Sequence, residues 1–181
     1  MRMPERTEHN MAIEIELKFL VASDAWRTAA HQIVPMAQGY LNDLAAMDNG
    51  AMRASVRVRI AGEDAFLNLK SREAGRTRQE FDYPIPVVDA RALLALCVGG
   101  LVAKRRHYVR HAGHLWEVDE FEGDNAGLVV AEIELQAVDE AFDRPDWLRA
   151  EVTDCTRYYN LALATRPYSQ WSAAERAGPA M

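Results

Sequence analysis

Charged residues fall two apart, again and again, along this chain. Glu14-Ile15-Glu16-Leu17-Lys18 comes first, followed by Arg57-Val58-Arg59, Glu80-Phe81-Asp82, Lys104-Arg105-Arg106, Glu117-Val118-Asp119 and Glu132-Ile133-Glu134. Lys70 adds a lone charge at the end of Phe66-Leu67-Asn68-Leu69. In a strand, residues i and i+2 share a face and lie roughly 6.5–7 Å apart. One such pair suits a solvated edge, but this many, of both signs, read as one charged surface assembled from several strands. If the sheet closes, that surface is the inside of a tube. Its cations would suit a polyanion, and its carboxylates the metal that accompanies one.

Electrostatics favours that reading over an ordinary wet face. Arg57, Arg59, Lys104 and Arg106 lack interspersed acids within their own strands. Like charges about 4 Å apart repel by roughly 4 kcal/mol at an effective dielectric near 20. Crowding them on one face makes sense mainly where an anion binds.

The strand pattern predicts segments at 12–21, 36–41, 53–60, 65–71, 78–85, 102–110, 115–121 and 128–136. Asn49-Gly50, Gly62, Gly75 and Gly113 mark the turns. Helices are expected from a cap at Ser23 or Asp24 to about residue 33, over 88–97, at 139–142 and at 157–164. About eight strands at hairpin spacing point to an antiparallel β-barrel, mainly β with flanking helices. Residues 1–11 read as a disordered leader, 12–165 as a single tunnel domain, and 166–181 as a loose tail.

Size and charge narrow the function classes. A chain of 181 residues, 49% hydrophobic and 27% charged, suits one folded domain. No run approaches the roughly 18–20 apolar residues that span a bilayer, and the polar start MRMPERTEHN lacks an apolar signal region. Cys97 and Cys155 have no metal-ligand spacing. A cytoplasmic protein with no membrane partner is expected. The net charge of −6 argues against a nucleic-acid partner, but not against a small anion held in a local cluster of cations.

Phosphate chemistry accounts for the mixture of signs. Arginine forks hold phosphoryl oxygens in pairs, lysine acts as a point charge, and Mg²⁺ takes a few carboxylates plus water and phosphate oxygens. Glu14 with Glu16 and Glu132 with Glu134 are the best carboxylate pairs, with Glu117 and Asp119 a third. There is no GxxxxGK[ST] loop, zinc spacing or serine elbow. His9, His31, His107, His111 and His114 are scattered and read as surface residues.

Glu14-Ile-Glu-Leu-Lys18 is also the ExExK signature, and the chain resembles the CYTH superfamily, the triphosphate tunnel metalloenzymes. The likeness continues in order through Gln38-Gly-Tyr-Leu41, Val56-Arg-Val-Arg-Ile60, Leu67-Asn-Leu-Lys70-Ser71, Arg78-Gln-Glu80, Lys104-Arg-Arg106-His-Tyr108, Trp116-Glu-Val-Asp119-Glu-Phe121, Ala131-Glu-Ile-Glu-Leu135 and Glu151-Val-Thr153. The overall form is closest to short bacterial inorganic triphosphatases.

That resemblance implies an eight-stranded tunnel, open at both ends, that binds a triphosphate with Mg²⁺ or Mn²⁺. It implies phosphate contacts from Lys18, Arg57, Arg59, Lys70, Arg78, Lys104 and Arg106. The metal-side carboxylates would be Glu14, Glu16, Asp119, Glu132 and Glu134, with Glu117 nearby and Glu80 a further tunnel acid. Lys104 and Tyr40 would form a catalytic pair, Lys104 acting as base through a lowered pKa. The implied reaction is hydrolysis of a linear triphosphate, preferably inorganic triphosphate, to diphosphate and phosphate by a monomer or homodimer. Adenylate cyclase and thiamine triphosphatase are alternatives within the family; a non-catalytic polyphosphate sensor is the alternative from another class. Asp82 replaces a commoner Glu, Arg105 should point outward, and Tyr159 stands where a basic residue is frequent.

Overall fold

The computed structural model describes residues 12–42, 45–46, 49–71 and 77–179, without the side chains of 12–14, 77 and 78. The expected leader at 1–11 and the turn at Gly75 lie outside these residues. Nine strands are present among the described residues: β1 (Ala12–Val21), β2 (Ala30–Tyr40), β3 (Ala54–Ala61), β4 (Asp64–Ser71), β5 (Thr77–Pro84), β6 (Val98–His111), β7 (His114–Phe121), β8 (Val129–Leu135) and β9 (Leu148–Glu151). Their order is β5-β4-β3-β2-β6-β7-β8-β1-β9, with every pairing antiparallel. β1 also pairs with β5, Ala12 opposite Glu80 and Glu14 opposite Arg78, so the first eight strands in that order return to their start.

Local chemistry sets the hairpins. His111 pairs with His114 around Ala112-Gly113, both at positive φ (47° and 87°), as a two-residue turn requires to match strand twist. The ninth strand was not expected. Leu148 and Ala150 are buried and alternate with Arg149 and Glu151, and β9 adds to the outer end of β1 at Phe19 and Val21.

Three further expectations change. The helix foreseen from residue 24 to 33 is a short 3-10 turn, Asp24–Ala29, capped by Ser23, and β2 starts at Ala30. There β2 pairs with β6 along its whole length, and that pairing overrides the helix-like spacing of 24–33. No helix forms at 139–142. The Glu140 carboxylate accepts from the Gln136 N–H at 2.5 Å and meets His114 at 3.0 Å, while Phe142 stacks edge-on against Phe19, His114 and Trp116. The segment expected as one helix at 157–164 is a 3-10 turn at Thr156–Tyr158 followed by a helix at Asn160–Thr165, with Tyr159 extended between them. The expected helix at 88–97 is present as Val87–Leu94, called α1; Asn160–Thr165 is α2, and Ala173–Ala177 is α3.

The tail is not loose over residues 167–179. Trp171 is buried and stacks on Tyr158 and Tyr168 at 5.1 Å each, and Ser172 and Glu175 form a capping box on α3.

The apolar core lies mostly outside the ring. Val58 and Ala65 pack against Ala90 of α1. Phe19, Trp26, Trp116, Val118, Ile133 and Trp147 form a second cluster. Burying Val58, Val118 and Ile133 contributes about 1.5–3 kcal/mol each. A third cluster differs in kind. Leu20, Tyr40, Val102, Phe121 and Val130 stand on the inner face, two residues along from inner-facing positions, and pack with Val152, Tyr158, Leu163 and Trp171. This end of the ring is filled, which corrects the expectation of a tunnel open at both ends. No helix among the described residues is long and apolar enough to cross a membrane.

Candidate functional site

Antiparallel register places the charged residues on one inner face. Directly opposed pairs include Lys18 with Glu132, Glu16 with Glu134, Glu117 with Glu132, Arg106 with Asp119, Lys70 with Glu80, Arg57 with Asn68, and Asn68 with Asp82. Cross-strand partners point to the same side of a sheet. Arg105, one residue out of phase, points outward to Glu120 and Glu122, both at 3.1 Å.

The inner cations are held by carboxylates. Lys18 contacts both Glu16 and Glu132. Arg106 binds Asp119 in two-pronged fashion at 2.8 and 2.7 Å, reaches Glu132 at 2.7 Å, and contacts Glu117. Lys104 contacts Oδ2 of the same Asp119, the oxygen that also accepts from Arg106 Nη2, and Asp119 has no solvent exposure. Across the lumen, Arg57 donates to Asn68 at 3.1 Å and Glu80 at 3.2 Å, and Lys70 meets Glu80 at 2.8 Å. Arg59 is held least: its best contact is Asp82 at 3.4 Å, and its buried Nε–H has no hydrogen-bond acceptor.

This crowding sets the protonation states. Burial opposes the Lys18 charge, yet Glu132 and Glu16 outweigh it and hold the ammonium above its ordinary range. Burial likewise opposes ionised Glu132, but Lys18, Arg106 and Lys104 keep it well below the usual carboxylate range. Lys104 moves the other way. Burial lowers it and Arg106 adds repulsion; Asp119 pulls back, but it is shared with Arg106. Glu117 is raised by burial and by its neighbours Glu132 and Asp119, against the pull of Arg106.

Not every expected residue joins this cluster. Tyr40 stands opposite Arg57 and Val98, whereas Lys104 stands opposite Met36, four residues away along β2, or about 13 Å of strand. The Tyr40 hydroxyl takes a 3.5 Å contact from Gln38, and burial raises its pKa. Glu134 is solvent-exposed beside Glu16 in the register. Glu14 and Arg78 face each other in the β1–β5 register, and their side chains lie outside the described residues. His107, expected at the surface, is buried against Trp26 on the outer wall and meets Glu120 at 3.3 Å. Asn68 and Gln38, both buried on the inner face, carry no charge and so escaped a reading based on charge pairs. Their signal was position, a polar residue at an inward phase.

Among the described residues, no set of three or more His, Cys, Asp or Glu side chains stands ready to enclose a metal ion. The donor chemistry still suits a hard divalent cation. Glu117, Glu132 and Asp119 are neighbouring oxygen donors, the last two close enough to raise the Glu117 carboxyl, and Glu16 opposes Glu134. Mg²⁺ needs only one or two carboxylates when phosphate oxygens and water complete its shell.

Comparison with known proteins agrees with this geometry. An inorganic triphosphatase of Acetivibrio thermocellus is 40% identical over 162 residues, covering 89% of this chain and 99% of its own. An inorganic triphosphatase of Nitrosomonas europaea is 37% identical over 154 residues, covering 83% and 96%. A solved crystal structure of an inorganic triphosphatase superposes with a TM-score of 0.61 at 34% identity, covering 85% of this chain and 95% of that one. The CYTH domain matches residues 12–166, and with that span and these relatives the chain belongs to the CYTH domain family.

Proposed function

We propose that this protein is an enzyme that hydrolyses inorganic triphosphate to diphosphate and phosphate within the charged lumen. The observation that carries this reading is the inner belt of Lys18, Arg57, Arg59, Lys70, Lys104 and Arg106, each facing inward from a rigid strand. Arg78 joins this set as a phosphate contact on the family pattern. A polyanion entering the belt exchanges carboxylate partners for phosphoryl oxygens, and Arg59, with its unpaired Nε–H, has most to gain. The relatives named inorganic triphosphatase support the same substrate.

Mg²⁺ or Mn²⁺, when bound, neutralises charge on the phosphoryl oxygens. Glu16, Glu117, Asp119, Glu132 and Glu134, with Glu14, are the carboxylates assigned to hold it. Arg57, Arg59 and Arg106 grip and align the phosphates, and Lys18 and Lys70 add point charges. Water attacks a terminal phosphorus, the phosphoanhydride P–O bond breaks, and the leaving oxygen departs on diphosphate. The water's proton passes to Lys104, whose lowered pKa makes its neutral form accessible. Tyr40, set beside Arg57, orders that arginine and the water rather than contacting Lys104 directly.

The test is phosphate release from triphosphate, ATP and thiamine triphosphate, each with Mg²⁺, Mn²⁺ or EDTA. Triphosphate with Mg²⁺ or Mn²⁺ should turn over fastest, and EDTA should abolish the reaction. Tight triphosphate binding with no phosphate release under any metal would make the protein a sensor instead, and cyclic nucleotide formation from ATP would make it a cyclase.

A second prediction tests the face assignment. Arg57→Ala and Arg59→Ala should each lower kcat/KM by about 2–3 kcal/mol, the scale of a lost charged hydrogen bond. Arg105→Ala, which removes only exterior pairs, should stay within about 0.5 kcal/mol of wild type. Steady-state kinetics at saturating Mg²⁺ checks both. Equal losses at positions 57 and 105 would mean the inner and outer faces are misassigned.

A further inference from the structure

Asn68 is an uncharged side chain linking the arginines of β3 to a carboxylate of β5. It has no solvent exposure and sits in a single cross-strand row, Arg57 on one side and Asp82 on the other. Its Oδ1 accepts from Arg57 Nε at 3.1 Å, and its Nδ2 donates to Asp82, which in turn contacts Arg59 at 3.4 Å. The orientation of the amide is fixed by chemistry: a guanidinium can only donate and an ionised carboxylate can only accept. Few side chains of this length serve both neighbours. An aspartate would set carboxylate against carboxylate, and an alanine would leave the buried Arg57 Nε–H without its acceptor.

We infer that Asn68 is a positioning residue for the phosphate grip. It ties Arg57 to Asp82 and, through Asp82, to Arg59, so that the two guanidiniums are presented to neighbouring phosphoryl groups at a fixed separation. Arg57 is pinned at Nε by Asn68 and at one terminal nitrogen by Glu80, and both bonds set its plane before ligand arrives. Arginine pairs to phosphate depend on that plane, because the fork must meet two oxygens together. The inference rests on the triphosphatase reading above and adds to it a residue that touches no substrate.

The experiment measures kcat and KM for triphosphate with Mg²⁺, alongside thermal melting, in four variants. Asn68→Ala should raise KM about tenfold with kcat changed less than about threefold, as expected for lost ground-state binding. In an Arg57→Ala background the same change should add less than about threefold, because its direct partner is gone and only the weaker route through Asp82 to Arg59 remains. Asn68→Asp should be as poor as Asn68→Ala. Combining it with Asp82→Asn, which exchanges the two groups and restores a donor facing an acceptor at unchanged net charge, should bring KM back to within about threefold of wild type.

Losses that multiply in the Arg57→Ala background, or a combined variant no better than Asn68→Asp alone, would overturn the inference and leave Asn68 a packing residue. If Asn68→Ala fails to fold, the combined variant decides. If the wild type releases no phosphate from triphosphate, the proposed function falls and this inference with it. If the wild type is active and Asn68→Ala keeps its KM, only the inference falls.

Discussion

Glu132→Gln is expected to lower kcat for triphosphate by about three orders of magnitude, the upper range for removing one preorganised electrostatic contact. The carboxylate is buried on β8, opposite both Lys18 and Glu117, and it also reaches Arg106. It thereby joins Lys18 of β1 to Arg106 of β6. Gln keeps the shape and removes the charge. Lys18 retains Glu16, and Arg106 retains Asp119 and Glu117, so no cation is left bare and the barrel should still form.

Stability should nonetheless fall with a defined pH dependence. Burial works against ionised Glu132, but Lys18, Arg106 and Lys104 hold its pKa well below the ordinary value. A carboxylate with a depressed folded pKa stabilises fully above its unfolded value, near 4.3, and loses that contribution as pH falls through the folded value. Glu132→Gln should therefore melt lower than wild type at pH 7, with a gap that narrows in acid below about pH 4. Kinetics at limiting Mg²⁺ with melting at both pH values checks this. Wild-type turnover at limiting Mg²⁺ would remove Glu132 from the metal-side role.

Lys104→Ala should cost about 10²–10⁴ in kcat, the range for a positioned general base, and much less in triphosphate affinity. Lys104 is 2% exposed, and burial and Arg106 together lower its pKa. In wild type, kcat should rise with pH as Lys104 loses its proton, along a limb displaced downward from the usual lysine range. Lys104→Arg should abolish that limb, since a guanidinium stays protonated, while keeping the positive charge. The comparison is calorimetric Kd with Ca²⁺ in place of Mg²⁺, set beside single-turnover rates with Mg²⁺. Equal losses of affinity and rate in Lys104→Ala would make Lys104 a phosphate clamp.

The inner belt was legible in the sequence because full charges at period two leave few other arrangements. Arg57 and Arg59, Lys104 and Arg106, Glu117 and Asp119 all fall on the face their spacing predicted. What escaped was set by tertiary partners. The start of β2 reads as helix until Ala30 meets Val109 across the ladder. Residues 139–142 have helical composition, but Glu140 and Phe142 are drawn to His114 and Trp116, which lie far off in sequence. β9 is four residues long, too short for periodicity to stand out, although Leu148 and Ala150 already alternate with polar neighbours. The Lys104–Tyr40 pairing came from resemblance, and register alone could not be read from either residue.

The return of β1 to β5 and β8 bears on how the chain reaches this state. The side-chain hydrogen bonds inside the β3–β5 and β6–β8 meanders close short loops: Arg57 and Asn68 are 11 residues apart, Arg106 and Asp119 are 13. Lys18 and Glu132 are 114 apart. Loop-closure entropy makes such distant contacts late ones, so the two meanders can form as separate local units while β1 waits. Its docking is then the step that seals the cylinder, and the same seam is where unzipping would begin.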